Sequence, residues 1–333
     1  GGGVGGGDKL LRLTSQEPRA NDMTTSSPST IHGGLEGGVI FVQLQDQFHH
    51  GLHGRSGGEL QVATRLLRRV MNPAYPVALF TNAKDESVTV HVDMALPLRM
   101  DPRLTPFLDA YLRTVAAQNV TSGSKAWIHV CLYKISALLQ TPFNRTVYLD
   151  NDIFVLQPSF IHDIINSTLP LADLAMPLNP IREGAWENVP APNLCSCVIA
   201  YHSTSILHRL WLGAAQRLAT GRIPQAHEQR EQEAIWFEWT EALPSLRVMV
   251  FPEEYYCPNV IPGKTKTVMG RKDTLTTVGT GFWPSNFNIG RQPGKQAAGY
   301  RKVELKCKAL HGHKVTKTVL SWMPGGLRAQ YGG

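Results

Sequence analysis

The segment from Thr146 to Val155 reads T-V-Y-L-D-N-D-I-F-V and constrains the fold of this chain more than any other stretch. Its residues 147–149 form a short apolar run with the length and composition of a buried strand. Asp150 and Asp152 follow at once, with one residue between them. Residues i and i+2 of an extended chain point to the same side, so both carboxylates can project from one strand end.

A pair of neighbouring carboxylates needs compensation, because the two negative charges repel unless a cation or a shared proton offsets them. A hard divalent ion such as Mg2+ or Mn2+, which also holds substrate phosphates, is the natural candidate. The alternative is an ordinary turn, since Asp and Asn cap backbone groups in turns. The apolar run before Asp150 places the pair at the carboxyl edge of a central strand. In open α/β sheets that edge binds ligands, so the sequence favours a metal-assisted phosphate site.

Composition and charge exclude several classes of protein. The chain has 333 residues, of which 42% are apolar and 18% charged, so we expect a sizeable core rather than a coiled coil or a disordered chain. The net charge is +7, and much of the basic excess falls after Gly263. We expect a basic rim that attracts an anionic substrate such as a nucleotide diphosphate. No repeat interleaves aromatic with basic residues, so no nucleic-acid partner is expected.

Cysteines and hydropathy bear on metal binding and location. The five cysteines match no zinc pattern, because Cys195 and Cys197 are too close together and no second pair follows. No run of 18 or more apolar residues occurs, so we expect no membrane span in this chain. Sequons at Asn119, Asn144 and Asn166 would matter in a secretory lumen. We expect no signal peptide or anchor within these 333 residues, and the residues alone assign no location.

The order of apolar segments predicts one α/β domain over residues 38–322, between a Gly/Ser-rich disordered leader or linker at 1–37 and a tail at 323–333. Continuous apolar strands favour a parallel sheet covered on both faces. The predicted strands are 38–42, 76–80, 88–92, 147–149, 171–176, 196–201 and 247–251, with a further ordered segment at 305–310. The predicted helices are 60–70, 106–117, 127–140, 158–165, 204–218 and 229–243.

Residues 133–155 read Y-K-I-S-A-L-L-Q-T-P-F-N-R-T-V-Y-L-D-N-D-I-F-V. This block resembles the donor site of nucleotide-sugar glycosyltransferases with the GT-A fold, near glycosyltransferase family 8, the group of glycogenin-like and galactosyltransferase-like enzymes. Four later segments resemble the same group in the same order, namely Asn193–Tyr201, Glu231–Ala234, Phe251–Tyr256 and Leu310–Lys314. The resemblance implies a Rossmann-like, mixed and mainly parallel sheet flanked by helices.

The resemblance also implies an activity. The enzyme would be a metal-dependent glycosyltransferase (a hexosyltransferase) that moves a sugar from a nucleotide diphosphate-sugar, with UDP-sugar as the first expectation, to an acceptor hydroxyl. The acceptor would be a glycan, a protein or a small molecule, and a Golgi or secretory-lumen location is typical of the family. Splitting the donor builds negative charge on its β-phosphate, which a metal ion neutralises as a Lewis acid.

Site residues follow from the same resemblance. The metal ligands for Mn2+ or Mg2+ would be Asp150, Asp152 and His311, with His313 as the competing choice for the third; an imidazole ligand suits Mn2+ better. The donor-binding residues would be Lys134, Asp150, Asn151 and Lys314. The two lysines would bind phosphate as point charges.

Glu231 and Gln232 are the catalytic residues that the resemblance implies. Inversion at the anomeric carbon needs a carboxylate base near the acceptor, for which Glu231, Glu253 or Glu254 would serve. Retention would use the leaving diphosphate as the base, with Gln232 or Glu231 near the sugar, and the resemblance favours retention. The chain departs from the family in two places. Residues 193–197 lack the family's Asn-Thr-Gly, so a glycine that permits close sugar approach is lost, and Glu231 replaces an aspartate.

Two alternatives remain open at this stage. A haloacid-dehalogenase-like phosphatase also places D-x-D after an apolar strand, with the first aspartate attacking phosphorus and the second acting as acid and base. Its motif normally opens the domain, whereas residues 38–146 precede Asp150 here. The second alternative is a GT-A domain that binds a sugar nucleotide or a glycan without turnover. The donor sugar, the acceptor and the oligomeric state are not determined by the sequence.

Overall fold

The structure is a computed structural model, and it describes residues 35–44, 56–83, 89, 91–117, 122–177, 194–221, 231–251, 256–257 and 309–311. The predicted leader up to residue 34 and the predicted tail at 323–333 therefore lie outside the described residues. No helix in the described ranges has the length and apolar character needed to cross a membrane.

The strands of the described residues form a large sheet and a small one. In chain order they are β1 (Leu35–Gln43), β2 (Val77–Thr81), β3 (Met94–Pro97), β4 (Phe143–Leu149), β5 (Ile153–Val155), β6 (Leu174–Met176), β7 (Val198–His202), β8 (Val248–Val250), β9 (Tyr256–Cys257) and β10 (Ala309–His311). The large sheet has the order β3-β2-β1-β4-β7-β6-β8, and the small one β5-β10-β9. Strand β4 lies at the centre of the large sheet.

Both parallel and antiparallel pairs occur in the large sheet. Strand β1 is parallel to β2 and to β4, β2 is parallel to β3, and β6 is parallel to β8. Strand β7 runs antiparallel to both β4 and β6. The sheet is therefore mixed and mainly parallel, and the predicted α/β fold class is confirmed.

Helices cover both faces of this sheet. They are α1 (Ser56–Val70), α2 (Thr105–Ala117), α3 (Ser122–Leu139), α4 (Phe160–Asp163), α5 (Ser205–Thr220) and α6 (Glu231–Ala242). Val39 and Phe41 of β1 pack on the side of α1 and α4, while Ile40 packs on the side of α2, α3, α5 and α6. Successive strand residues point to opposite faces, and both faces are buried, which is why the strands read as continuous apolar runs.

The pairing of β1 with β4 creates the edge on which the candidate site lies. Val39 pairs with Val147 and Ile40 with Tyr148, so the two strands end side by side. From β1 the chain passes through α1 to β2 on one side, whereas β4 lies on the other side. In open α/β sheets, ligands bind at the carboxyl ends of two parallel strands that the chain leaves in opposite directions.

Most predicted elements are confirmed with shifted ends, but the predicted strand at 88–92 is wrong. Among its described residues, the Val92 N–H donates to the Thr89 carbonyl at 3.2 Å, and this local bond closes a turn. The V-T-V-H-V pattern alternates as a strand does, but β3 begins only at Met94. Strand β1 also begins earlier than predicted, at Leu35.

Candidate functional site

Asp150 and Asp152 lie in the tight turn between β4 and β5. The Asp150 N–H donates to the Cys197 carbonyl at 2.9 Å, and the Ile153 N–H donates to the Asp150 carbonyl at 3.0 Å. The Asp150 side chain is 31% exposed, while Asp152 is buried. The turn predicted as an alternative is therefore present, and it carries the two carboxylates at the carboxyl end of the central strand.

Lys134, on α3, contacts this turn through its ammonium group. Its ammonium donates to Asp150 Oδ1 at 3.1 Å, to Glu231 Oε1 at 2.9 Å and to the Ser196 main-chain oxygen at 2.7 Å. It also lies 4.5 Å from the centre of the Tyr148 ring. An ammonium has three protons, so these contacts occupy all of them. In this arrangement Lys134 holds two carboxylates together.

Glu231 is the first residue of α6, where the helix dipole favours a carboxylate. Besides Lys134, its Oε1 accepts a hydrogen bond from the Ser196 hydroxyl at 2.7 Å. Its Oε2 accepts one from the Cys131 thiol at 2.9 Å. Both oxygens of this buried side chain are thus engaged.

The charges of Lys134 and Glu231 stabilise each other. Burial alone would lower the pKa of Lys134, but the carboxylates of Asp150 and Glu231 outweigh it and hold that pKa well above its usual value. Burial would raise the pKa of Glu231, yet Lys134 together with the hydrogen bonds from Cys131 and Ser196 lowers it to about 2. Both groups are ionised at neutral pH. A carboxylate with so low a pKa is a weak general base there.

Three members of this network were not predicted from the sequence. Tyr148 donates its hydroxyl to Asp150 Oδ1, and burial, reinforced by Asp150, raises the Tyr148 pKa. Burial and the nearby Glu231 raise the pKa of Cys131, so its thiol stays protonated and donates. The spacing in the sequence could have predicted Tyr148 and Cys131. Tyr148 precedes Asp150 by two residues along a strand, so the two share a side. Cys131 precedes Lys134 by three residues along a helix, so the two lie on one face. Ser196 had no such signal.

Two buried side-chain oxygens at the same sheet edge have no hydrogen-bond partner in the described part of the chain: Gln43 Oε1 and Asn151 Oδ1. Gln43 ends β1, and Asn151 lies between the two aspartates. Leaving a buried acceptor unsatisfied costs about 1–3 kcal/mol, so such groups call for a ligand or a cation. Asn151 was predicted as a donor-site residue. Gln43 was missed, although a polar residue that ends an apolar strand was a usable signal.

The remaining predicted residues lie in different positions. Gln232 is buried and donates to Glu233 Oε1 at 3.1 Å. His311 ends β10, where its backbone pairs with Ile153, the residue directly after Asp152. The backbone thus brings residue 311 beside the aspartate pair. The other predicted residues, which are Lys314, His313, Glu253 and Glu254, lie outside the described residues.

The donor atoms around the turn suit a hard divalent cation. Asp150, Asn151 and Asp152 offer oxygens, which Mg2+ and Mn2+ prefer. Within the described ranges, no group of three or more His, Cys, Asp or Glu side chains is arranged as a metal site. The metal therefore stays a prediction.

Comparisons with known proteins find similar solved structures but no sequence match. No known family's sequence profile matches the chain, and no curated protein matches it. The fold is similar to the crystal structure of mouse xyloside xylosyltransferase 1 in its apo form, with a TM-score of 0.43 and 13% sequence identity. The similarity covers 67% of this chain and 87% of that chain.

Proposed function

We propose that this chain is a metal-dependent glycosyltransferase that moves a sugar from a nucleotide diphosphate-sugar, with a UDP-sugar as first choice, to an acceptor hydroxyl. The observation that carries the proposal is the Asp150–Asn151–Asp152 turn at the carboxyl ends of the parallel strands β1 and β4. A crevice at that place is where open α/β sheets bind ligands. The unpartnered side-chain oxygens of Gln43 and Asn151 support a bound ligand there.

Each residue would have a defined part in donor binding. Asp150 and Asp152, with His311 as third ligand, would hold Mn2+ or Mg2+, which when bound supplies positive charge for the departing diphosphate. Asn151 and Gln43 would accept hydrogen bonds from the donor. Lys134 would keep the Asp150 carboxylate in place rather than bind phosphate itself, because all its protons are already donated. Lys314 remains the proposed phosphate-binding lysine.

The contacts of Glu231 favour a positioning role over the catalytic one that its sequence motif suggested. Its oxygens accept from Lys134, Ser196 and Cys131, and its pKa of about 2 leaves little tendency to take a proton near neutral pH. Gln232 would remain the group near the sugar. An acceptor hydroxyl would then lose its proton to the leaving diphosphate, so we propose retention of the anomeric configuration.

Release of UDP from a panel of UDP-sugars in Mn2+ tests the proposal, with water as acceptor. The wild type should release UDP from at least one donor, and Asp152→Asn should abolish the release. Asp109→Asn is the matched control, since Asp109 is exposed on α2. Hydrolysis of p-nitrophenyl phosphate without any UDP release would support the phosphatase alternative. Tight UDP binding with no turnover would support a non-catalytic domain.

A further inference from the structure

Ser196 makes the contacts that join the two ionised side chains of the network to the sheet. Its main-chain oxygen accepts from the Lys134 ammonium at 2.7 Å, and its hydroxyl donates to Glu231 Oε1 at 2.7 Å. The next residue, Cys197, accepts at its carbonyl from the Asp150 N–H at 2.9 Å. One three-residue segment therefore touches Lys134, Glu231 and Asp150.

A disulfide closes this segment on itself. Cys195 and Cys197 are bonded to each other, two positions apart, with their Cα atoms 5.3 Å apart. The Cys195 N–H also donates to the Pro177 carbonyl at 2.8 Å. The residue enclosed by the small ring is Ser196. Because the ring contains the whole backbone of Ser196, rotation about that backbone is restricted on both sides.

We propose that the Cys195–Cys197 disulfide is a positioning element of the donor site, which fixes Ser196 so that its carbonyl and hydroxyl hold Lys134 and Glu231. The inference rests on the proposed function in one respect, since it calls this cluster a donor site. The bond lies within residues 193–197, the segment that resembles the sugar-transferase segment but lacks its glycine. Glycine allows the backbone many conformations, whereas a covalent ring restricts it to few.

The size and burial of the ring indicate a local role. The entropy that a disulfide removes from the unfolded chain grows with the length of the loop it closes, so a bond across two positions adds little to global stability. Cys195, Ser196 and Cys197 are all buried, which favours a permanent brace over an exposed redox switch. Opening the bond should therefore loosen the contacts of Ser196 without unfolding the domain.

The first experiment measures Lys134 directly and needs no enzymatic activity. N-acetoxysuccinimide acetylates accessible amines, and the rate at Lys134 is followed by peptide mass spectrometry in wild type and in Cys195→Ser/Cys197→Ser. Lys134 is buried and ion-paired, so acetylation should be slow in the wild type. In the variant we expect at least about a threefold faster rate, because local opening exposes the amine. The other lysines of the same digest and a Cys257→Ser/Cys307→Ser variant are the controls.

A second arm uses the wild type alone, in case the variant does not fold. Dithiothreitol breaks the S–S bond by giving two electrons and two protons, so two thiols form and the dithiol becomes a cyclic disulfide. After the reductant is removed under nitrogen, acetylation at Lys134 should rise as in the variant. Ser196→Ala, which keeps the carbonyl contact and the disulfide but loses the hydroxyl, should give a smaller rise.

Several results would overturn the inference. Two free thiols at positions 195 and 197 in protein purified without reductant would remove its basis. Equal acetylation of Lys134 in the bonded and opened forms would show that the ring does not position it. Titration of UDP in Mn2+ then separates the two proposals. A wild type that binds no UDP refutes the donor site, while a change at Lys134 still supports the positioning role.

Discussion

The ammonium of Lys134 lies 2.9 Å from Glu231 Oε1, although 97 residues separate the two in the chain. The same ammonium lies 3.1 Å from Asp150 Oδ1. A single cation thus joins α3, the end of β4 and the start of α6. Because Lys134 is only 8% exposed, solvent screens these contacts little, and their loss should be felt by the whole fold.

We expect Lys134→Met to lower the free energy of unfolding by about 3–5 kcal/mol, because two carboxylates would lose their buried cation. Removing the second charge as well, in Lys134→Met/Glu231→Leu, should recover part of the loss, with a coupling energy of about 1–3 kcal/mol. Urea titration of both variants measures this. Arg247→Met is the control, since Arg247 forms an exposed pair with Asp173. Equal effects of the Lys134 and Arg247 substitutions would refute the structural role of Lys134.

The low pKa of Glu231 predicts a loss of stability in acid. Its pKa is about 2 in the folded protein against 4.5 as its ordinary value, so the unfolded state binds the proton first. The contribution is complete above pH 4.5, declines as the pH falls toward 2, and amounts to about 3 kcal/mol in all. In Glu231→Gln this part of the slope should vanish. Free energies of unfolding between pH 5 and about pH 3 would reveal it, and identical slopes in both proteins would contradict the assigned ion pair.

Gly38 is predicted to be essential for the close packing of β1 on β4. A Cβ atom at Gly38 would lie 2.5 Å from atoms of the buried Phe143 ring, which is far below contact distance. Gly38→Ala should therefore cost about 1–3 kcal/mol of stability and disturb the strand ends that carry Gln43 and Asp150. Gly37→Ala is the matched neighbour, because the closest atoms to its Cβ would be two Ile165 methyl groups at 3.2 and 3.3 Å, which is tight but much less severe. A thermal midpoint that falls equally in both variants would argue against the packing role.

Some features of the site could be predicted from the sequence and others could not. Asp150 and Asp152 were placed correctly at the end of a central strand, because an apolar run followed by polar residues is a local signal. Helix α3 was also predicted, but the partners of Lys134 were not. Ser196 approaches it only through the antiparallel pairing of β7 with β4, and no spacing in the chain encodes that contact.

The strand predicted at 88–92 failed although a local signal was present in the sequence. Its alternating pattern was a valid local signal, yet a turn at Thr89 and the pairing of β3 with β2 decided the outcome. Propensity for strands is weak against tertiary context. The contact of Glu231 with Lys134 was likewise not predicted, because the two residues are 97 positions apart in the chain.

Calorimetric titration of UDP into the protein, with and without Mn2+, tests the central claim most directly. The donor-site account predicts micromolar binding that requires the metal and weakens more than about 100-fold in Asp150→Asn/Asp152→Asn, since that variant loses two proposed ligands. Asp109→Asn should bind as the wild type does. Absence of UDP binding under all conditions, or binding that neither the metal nor the double substitution changes, would contradict a metal-assisted nucleotide-sugar site at the end of β4.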